Sequence, residues 1–211
     1  MNILFLSGAY YKDRRLLDTA GKWLKPITGP LLIIPAPDFF WGSDGLPLKE
    51  ISRNPLQFHE IYNRSLIDRL GSAMLPAISL MASDRGMLTV RETGEFELHP
   101  EKIRNLTGNG ISLVITPIIR QGEQITSCSL VEFIRSLHHP AVSMTFLSPL
   151  IPPPGISSVR ELMIWSQSDD QIRPSFEWLN PWPAGLSITL ADDFSIRLAG
   201  SEPGLLLSLK A

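Results

Sequence analysis

Short apolar runs and amphipathic stripes alternate along this chain, and they predict its elements before composition is considered. Ile3–Leu6 is a compact apolar run closed by Ser7-Gly8, the pattern of a short buried strand. Downstream, apolar residues fall at 16, 17, 20, 23, 24 and 27, which is one face of a helix. Lys25-Pro26 disfavours its continuation, because proline pushes the preceding residue out of the helical region. Thr28-Gly29-Pro30 turns the chain, and Leu31–Ile34 is a second apolar run. Strand, helix and strand in this order predict a βαβ unit. Strands apolar at every position suit a parallel sheet covered on both faces.

Further along, Leu56, Ile61, Leu66, Ile67, Leu70, Met74 and Leu75 give an apolar face to the longest helical stretch, residues 55–82, with Pro55 in the first turn. Gly71 and Pro76 predict a kink or two helices there. The segment GMLTVRETGEFELH alternates around Thr93-Gly94 and predicts a hairpin, with Leu88 and Val90 on one arm and Phe96 and Leu98 on the other. A short helix opens at Pro100. Residues 111–119 predict a strand, Gln121-Gly122 a turn, 129–137 a helix and 142–147 a strand.

LSPLIPPPGISS, residues 147–158, is the clearest punctuation, since consecutive prolines stiffen the chain in extended geometry. A helix at 158–165 and an antiparallel end-piece at 186–190, 194–198 and 205–209 follow. The fold class is α/β, with α+β as the alternative: a mixed sheet with an N-terminal βαβ unit, helices on its faces and a C-terminal antiparallel strand piece. We expect residues 1–211 to form a single domain. The alternative is a stiff crossing at 149–157 before a small C-terminal appendage, 158–211.

Composition adds a bias toward interfaces. Charged residues make up 19% of the 211 residues, below the roughly 25% usual in soluble domains. A homo-oligomer, or a subunit of a larger complex, is therefore expected. The formal net charge is −2, and the densest basic run, Lys12-Asp13-Arg14-Arg15, is interrupted by an acid. Nucleic acid is not an expected partner, since displacing its counterions needs a basic patch. No apolar run reaches about 18 residues, so no membrane association is expected. Cys128 is the single cysteine, so no intramolecular disulfide forms, and a cytoplasmic setting is expected.

The candidate chemistry follows from the topology. Ligands in open α/β sheets bind outside the carboxyl ends of the strands. If the first two strands are parallel, SGAYY (7–11) and PAPDFFWGSDG (35–45) share that edge. Ser7, Gly8, Tyr10, Tyr11 and Trp41 are therefore candidate ligand-binding residues, and backbone N–H groups at the start of the first helix suit an anion. Neither G-x-G-x-x-G nor a P-loop is present. Asp38 and Asp44 are candidates for an acid/base pair or for Mg²⁺, the one cofactor considered; the competing reading is a turn-forming pair beside core aromatics. His59 and Asn63 lie four apart on one helix face, with His59 a candidate general base. The second histidine of H-E-x-x-H is absent, since position 63 is asparagine. Asp84, in the turn Ser83-Asp84-Arg85-Gly86, completes the catalytic candidates. His138-His139 suits a helix C-terminus, and Cys128 is a weak nucleophile candidate without a supporting motif.

The function expected from these residues is acid/base chemistry by a soluble α/β enzyme on a small anionic or phosphorylated metabolite. The alternative is a non-catalytic assembly subunit or adaptor, binding a protein partner through aromatic loops 39–41 and 178–182, where Trp178 and Trp182 stand among prolines. Whether the chain is an enzyme at all stays open at this point.

Overall fold

The computed structural model describes residues 2–7, 10, 15, 18, 31–35, 54–91, 96–108, 110–116, 118–127, 143–148, 150, 152–170, 172–176, 179, 188–191 and 207–209. Its strands are β1 (Asn2–Leu6), β2 (Leu31–Pro35), β3 (Ala77–Met81), β4 (Leu88–Val90), β5 (Phe96–Leu98), β6 (Ser112–Thr116), β7 (Ile118–Gln121), β8 (Gln124–Ser127), β9 (Ser143–Leu147), β10 (Ile188–Ala191) and β11 (Leu207–Leu209). The helices numbered here are α1 (Pro55–Ser72), α2 (Pro100–Thr107), α3 (Val159–Ser166) and α4 (Arg173–Phe176).

A seven-stranded sheet of order β11-β10-β9-β1-β2-β6-β3 organises the molecule. Its neighbours are parallel except β10 and β11, which are antiparallel. Two antiparallel hairpins, β4-β5 and β7-β8, stand beside it. The expected mixed α/β sheet with an adjacent parallel β1-β2 pair is therefore present. The C-terminal strands also form an antiparallel pair, and β10 joins β9 in parallel, so they continue the main sheet.

Alternation along the buried strands sorts the core into two clusters, one on each face. Ile3 and Phe5 of β1, Leu32 and Ile34 of β2, Leu113 and Ile115 of β6, and Met144 and Phe146 of β9 pack with Ile103 of α2, Leu162 of α3 and Phe176 of α4. The intervening residues Leu4, Leu6, Ile33, Val114 and Leu147 pack with Leu66 and Leu70 of α1 and with Tyr10. Burying both faces is why these strands read as continuous apolar runs.

Two sequence expectations change. The stripe over 55–82 is a helix only to Ser72, and its last part is the edge strand β3. Met74 N–H donates to Gly71 O and Leu75 N–H to Leu70 O, the paired bonds that close a helix C-terminus. Met74 takes the left-handed conformation there at φ 63°, a position more often held by glycine. Leu70 and Leu75 share one core cluster, so burial holds the unusual cap in place. The expected strand at 111–119 is two strands, β6 in the main sheet and β7 in a hairpin. The sequence has a proline between them, and proline has no N–H for a sheet ladder.

The two expected arms at 88–90 and 96–98 pair antiparallel, and the structure sets Leu88 opposite Leu98 and Val90 opposite Phe96. At the start of α3, Ser158 and Glu161 each accept from the other's backbone N–H, a reciprocal cap that satisfies donors the helix cannot. The expected helix at 129–137 and strand at 194–198 lie outside the described residues.

Candidate functional site

Parallel strands bring their carboxyl ends to one rim. Ser7 follows β1, Pro35 ends β2, Ala82 to Asp84 follow β3, Thr116 ends β6 and Ser148 follows β9. The strand order reverses beside β1, whose neighbours are β2 and β9, and such a switch point opens a crevice for ligands. Ser7 continues the ladder there, its N–H donating to Leu147 O at 3.0 Å. Ser7, Ser148 and Tyr10 are all buried.

The second feature of the rim is built by α1. Asn54 caps this helix by accepting from Gln57 N–H at 3.2 Å, with Pro55 in the first turn. The spacing of four residues then stacks His59 and Asn63 on one side. Both meet the end of β6: His59 Nδ1 lies 2.9 Å from Thr116 Oγ1. Asn63 Nδ2 donates to Thr116 Oγ1 and, at 2.6 Å, to Ser79 Oγ, and lies 3.1 Å from His59 Nδ1. Parallel pairing of β3 and β6 sets Ser79 beside Val114 and Met81 beside Thr116. Ser79 and Thr116 therefore share the face that α1 covers. Asn63 and Thr116 are each 1% exposed, whereas His59 is half-buried. Asn63 Oδ1 is buried with no hydrogen-bond partner among the described residues.

Burial depresses the His59 pKa below its usual 6.5, and the charges of Asp84 and Glu60 oppose this without overcoming it. The consequence for stability has a definite sign. The unfolded chain binds a proton at His59 from about pH 6.5 downward, where the folded chain still resists it. Stability attributable to this residue is thus complete above pH 6.5 and declines as pH falls from there through the lower folded pKa. Urea melts at about pH 7.5 and about pH 5.5 are expected to show a larger loss on acidification in the wild type than in His59→Asn. Equal losses would contradict the assignment.

Asp84 caps the turn that follows β3, its Oδ2 accepting from Met81 N–H at 2.8 Å. Next to it, Arg85 is left-handed at φ 56°, and Ser83 Oγ accepts from Arg120 N–H on the β7-β8 hairpin at 2.9 Å. The turn and the hairpin are thereby tied together at the rim. Of the sequence candidates, Ser7, Tyr10, His59 and Asp84 lie among the described residues. Gly8, Tyr11, Asp38, Trp41 and Asp44 lie outside them, as do Cys128, His138, His139, Trp178 and Trp182. The segment carrying Asp38, Trp41 and Asp44 leaves β2 after Pro35 and re-enters the described chain at Asn54, the cap of α1. Among the described residues no three His, Cys, Asp or Glu side chains gather to hold a metal ion, and no helix is long and apolar enough to cross a membrane.

Sequence reasoning missed Thr116 and Ser79. The signal available was a single hydroxyl at the end of the apolar run SLVIT and another inside AISLM.

No family model matches this sequence, and no curated protein matches it. Solved structures do. An isopentenyl phosphate kinase substrate complex matches with a TM-score of 0.54 at 15% identity, over 100% of both chains. Aspartate kinase from Synechocystis matches with a TM-score of 0.56 at 14% identity, over 99% of this chain and 40% of its own. The isopentenyl phosphate kinase product complex from T. acidophilum gives 0.52 at 13%, over 98% and 99%. At such identities a likeness reports architecture alone, and the architecture shared is an α/β fold.

Proposed function

We propose that this chain is an enzyme acting on a small anionic or phosphorylated metabolite held at the carboxyl-end rim of its parallel sheet, with His59 touching the ligand. The observation that carries this reading is the network of His59, Asn63, Ser79 and Thr116. A polar cluster built around the buried Asn63 and Thr116, where α1 meets β3 and the end of β6, costs folding free energy unless it is satisfied, and rims of this kind are where such folds place ligands. The structural neighbours, isopentenyl phosphate kinase and aspartate kinase, support the choice of metabolite, since isopentenyl phosphate is phosphorylated and aspartate is anionic. They also favour phosphoryl transfer as the reaction class, with ATP and Mg²⁺ as co-reactants.

Within this reading, Ser7, Gly8, Tyr10, Tyr11 and Trp41 line the ligand pocket, and Asp38, Asp44 and Asp84 supply carboxylates for acid/base work or for the metal. Thermal denaturation of the wild type and His59→Ala tests it, in the presence of isopentenyl phosphate or aspartate, each with and without ATP and Mg²⁺. A ligand that binds only the folded state stabilises it by about 2.7 kcal/mol at 100 times its Kd. The expected result is a raised Tm in the wild type with one of these ligands and a much smaller rise in His59→Ala. Equal shifts in both proteins would remove His59 from the site, and no shift with any ligand would overturn the reading.

A further inference from the structure

The directions of the hydrogen bonds around His59 define its chemical role, given a ligand at the rim. An amide nitrogen only donates. Asn63 Nδ2 gives its two hydrogens to Ser79 Oγ and Thr116 Oγ1. Thr116 Oγ1, already accepting, has its own hydrogen left to give, and the acceptor in reach is His59 Nδ1 at 2.9 Å. The other group facing that nitrogen, Asn63 Nδ2 at 3.1 Å, is a donor group as well. With the amide in this orientation Nδ1 is an acceptor, and the hydrogen of the neutral ring sits on Nε2. No described residue bonds to Nε2, and the ring is half-buried.

We propose that His59 acts as a neutral hydrogen-bond donor through Nε2, with Thr116 and Asn63 as positioning residues, and that its ligand presents an anionic oxygen of a phosphoryl or carboxylate group. This reverses the role expected from sequence. A general base needs a lone pair facing the ligand, and in this tautomer the lone pair faces Thr116. A preorganised N–H donor instead favours negative charge on the oxygen it meets, as donors of an oxyanion site do. The competing arrangement turns the Asn63 amide over. Its oxygen would then accept from both hydroxyls, Thr116 Oγ1 would accept from Nδ1–H, and Nε2 would be free as a base.

These two arrangements differ in an observable of the protein without ligand. In long-range ¹H–¹⁵N spectra of the full chain with ¹⁵N-labelled histidine, at about pH 8 where His59 is neutral, the bare ring nitrogen resonates far downfield of the protonated one. His59 is assigned by its disappearance in His59→Gln. The expected result is a bare Nδ1 and a protonated Nε2; a protonated Nδ1 would overturn the proposal. In Asn63→Asp a carboxylate takes the hydrogen of Thr116, whose oxygen then accepts from the ring. The two nitrogen shifts are expected to exchange, and an unchanged tautomer would remove the positioning role. If that variant fails to fold, Thr116→Ser, which keeps the hydroxyl, is expected to preserve the wild-type tautomer, and loss of it there would be equally damaging.

Inorganic phosphate and succinate then serve as probes of the ligand. A shift of the His59 Nε2 resonance with phosphate alone assigns a phosphoryl oxygen, and with succinate alone a carboxylate. Silence toward both overturns the assigned ligand class, whatever the tautomer. A base tautomer with a response to phosphate would sink the donor role yet leave the rim site standing, so the two failures are distinguishable.

Discussion

Phe146→Ala is expected to destabilise the fold by about 3–5 kcal/mol, the range for removing a buried ring from a packed core. Phe146 is fully buried in β9, between β1 on one side and β10 on the other. Its ring meets Phe176 edge-on, with centroids 5.9 Å apart and planes at 88°, the geometry that aromatic quadrupoles favour. Phe176 in turn lies 5.8 Å from Trp165. Alanine would leave a void where the sheet meets α3 and α4. Urea unfolding reports the loss as a lower midpoint at unchanged slope. A loss under about 1 kcal/mol would show that this junction is not packed as described.

Asn63→Ala is expected to cost about 1–3 kcal/mol, the penalty for stranding a buried polar partner. The substitution takes a donor from Ser79 and Thr116. It also removes Oδ1, which has no partner among the described residues, and this relief holds the loss below that of a fully satisfied group. A double-mutant cycle with Ser79→Ala separates the contributions: contact within one network predicts a coupling of about 0.5–3 kcal/mol. Additive losses would mean that Asn63 and Ser79 do not interact.

Local elements were legible because local chemistry sets them. The runs at 3–6 and 31–34, the hairpin around Thr93-Gly94, and the helices after Pro100 and Ser158 each carry their own signal in period or cap. β3 was hidden for a physical reason. Leu70, Met74 and Leu75 keep helical spacing up to AISLM, and a methionine occupies the left-handed cap where glycine would have announced the stop. The β7-β8 hairpin escaped notice because its second arm, GEQITS, lacks an apolar alternation. The parallel docking of β10 on β9 is a long-range event with no local mark. The candidate site divides in the same way. His59 and Asn63 were legible together, being one helical turn apart. Their partners Ser79 and Thr116 join them only through the pairing of β3 with β6, which no window of sequence contains.

The position of β1 in the sheet bears on how the chain is made. β1 is a central strand, and Asn2–Leu6 must pair on one edge with β2 and on the other with Ser143–Leu147, which is made much later. Synthesis proceeds at about 5–20 residues per second, so one edge of an apolar strand waits for its partner until Ser143–Leu147 is made. Pairings so distant in sequence are slow to close, and an uncovered apolar edge invites intermolecular pairing meanwhile. Nascent chains of this protein arrested before residue 143 are therefore the species most in need of a chaperone.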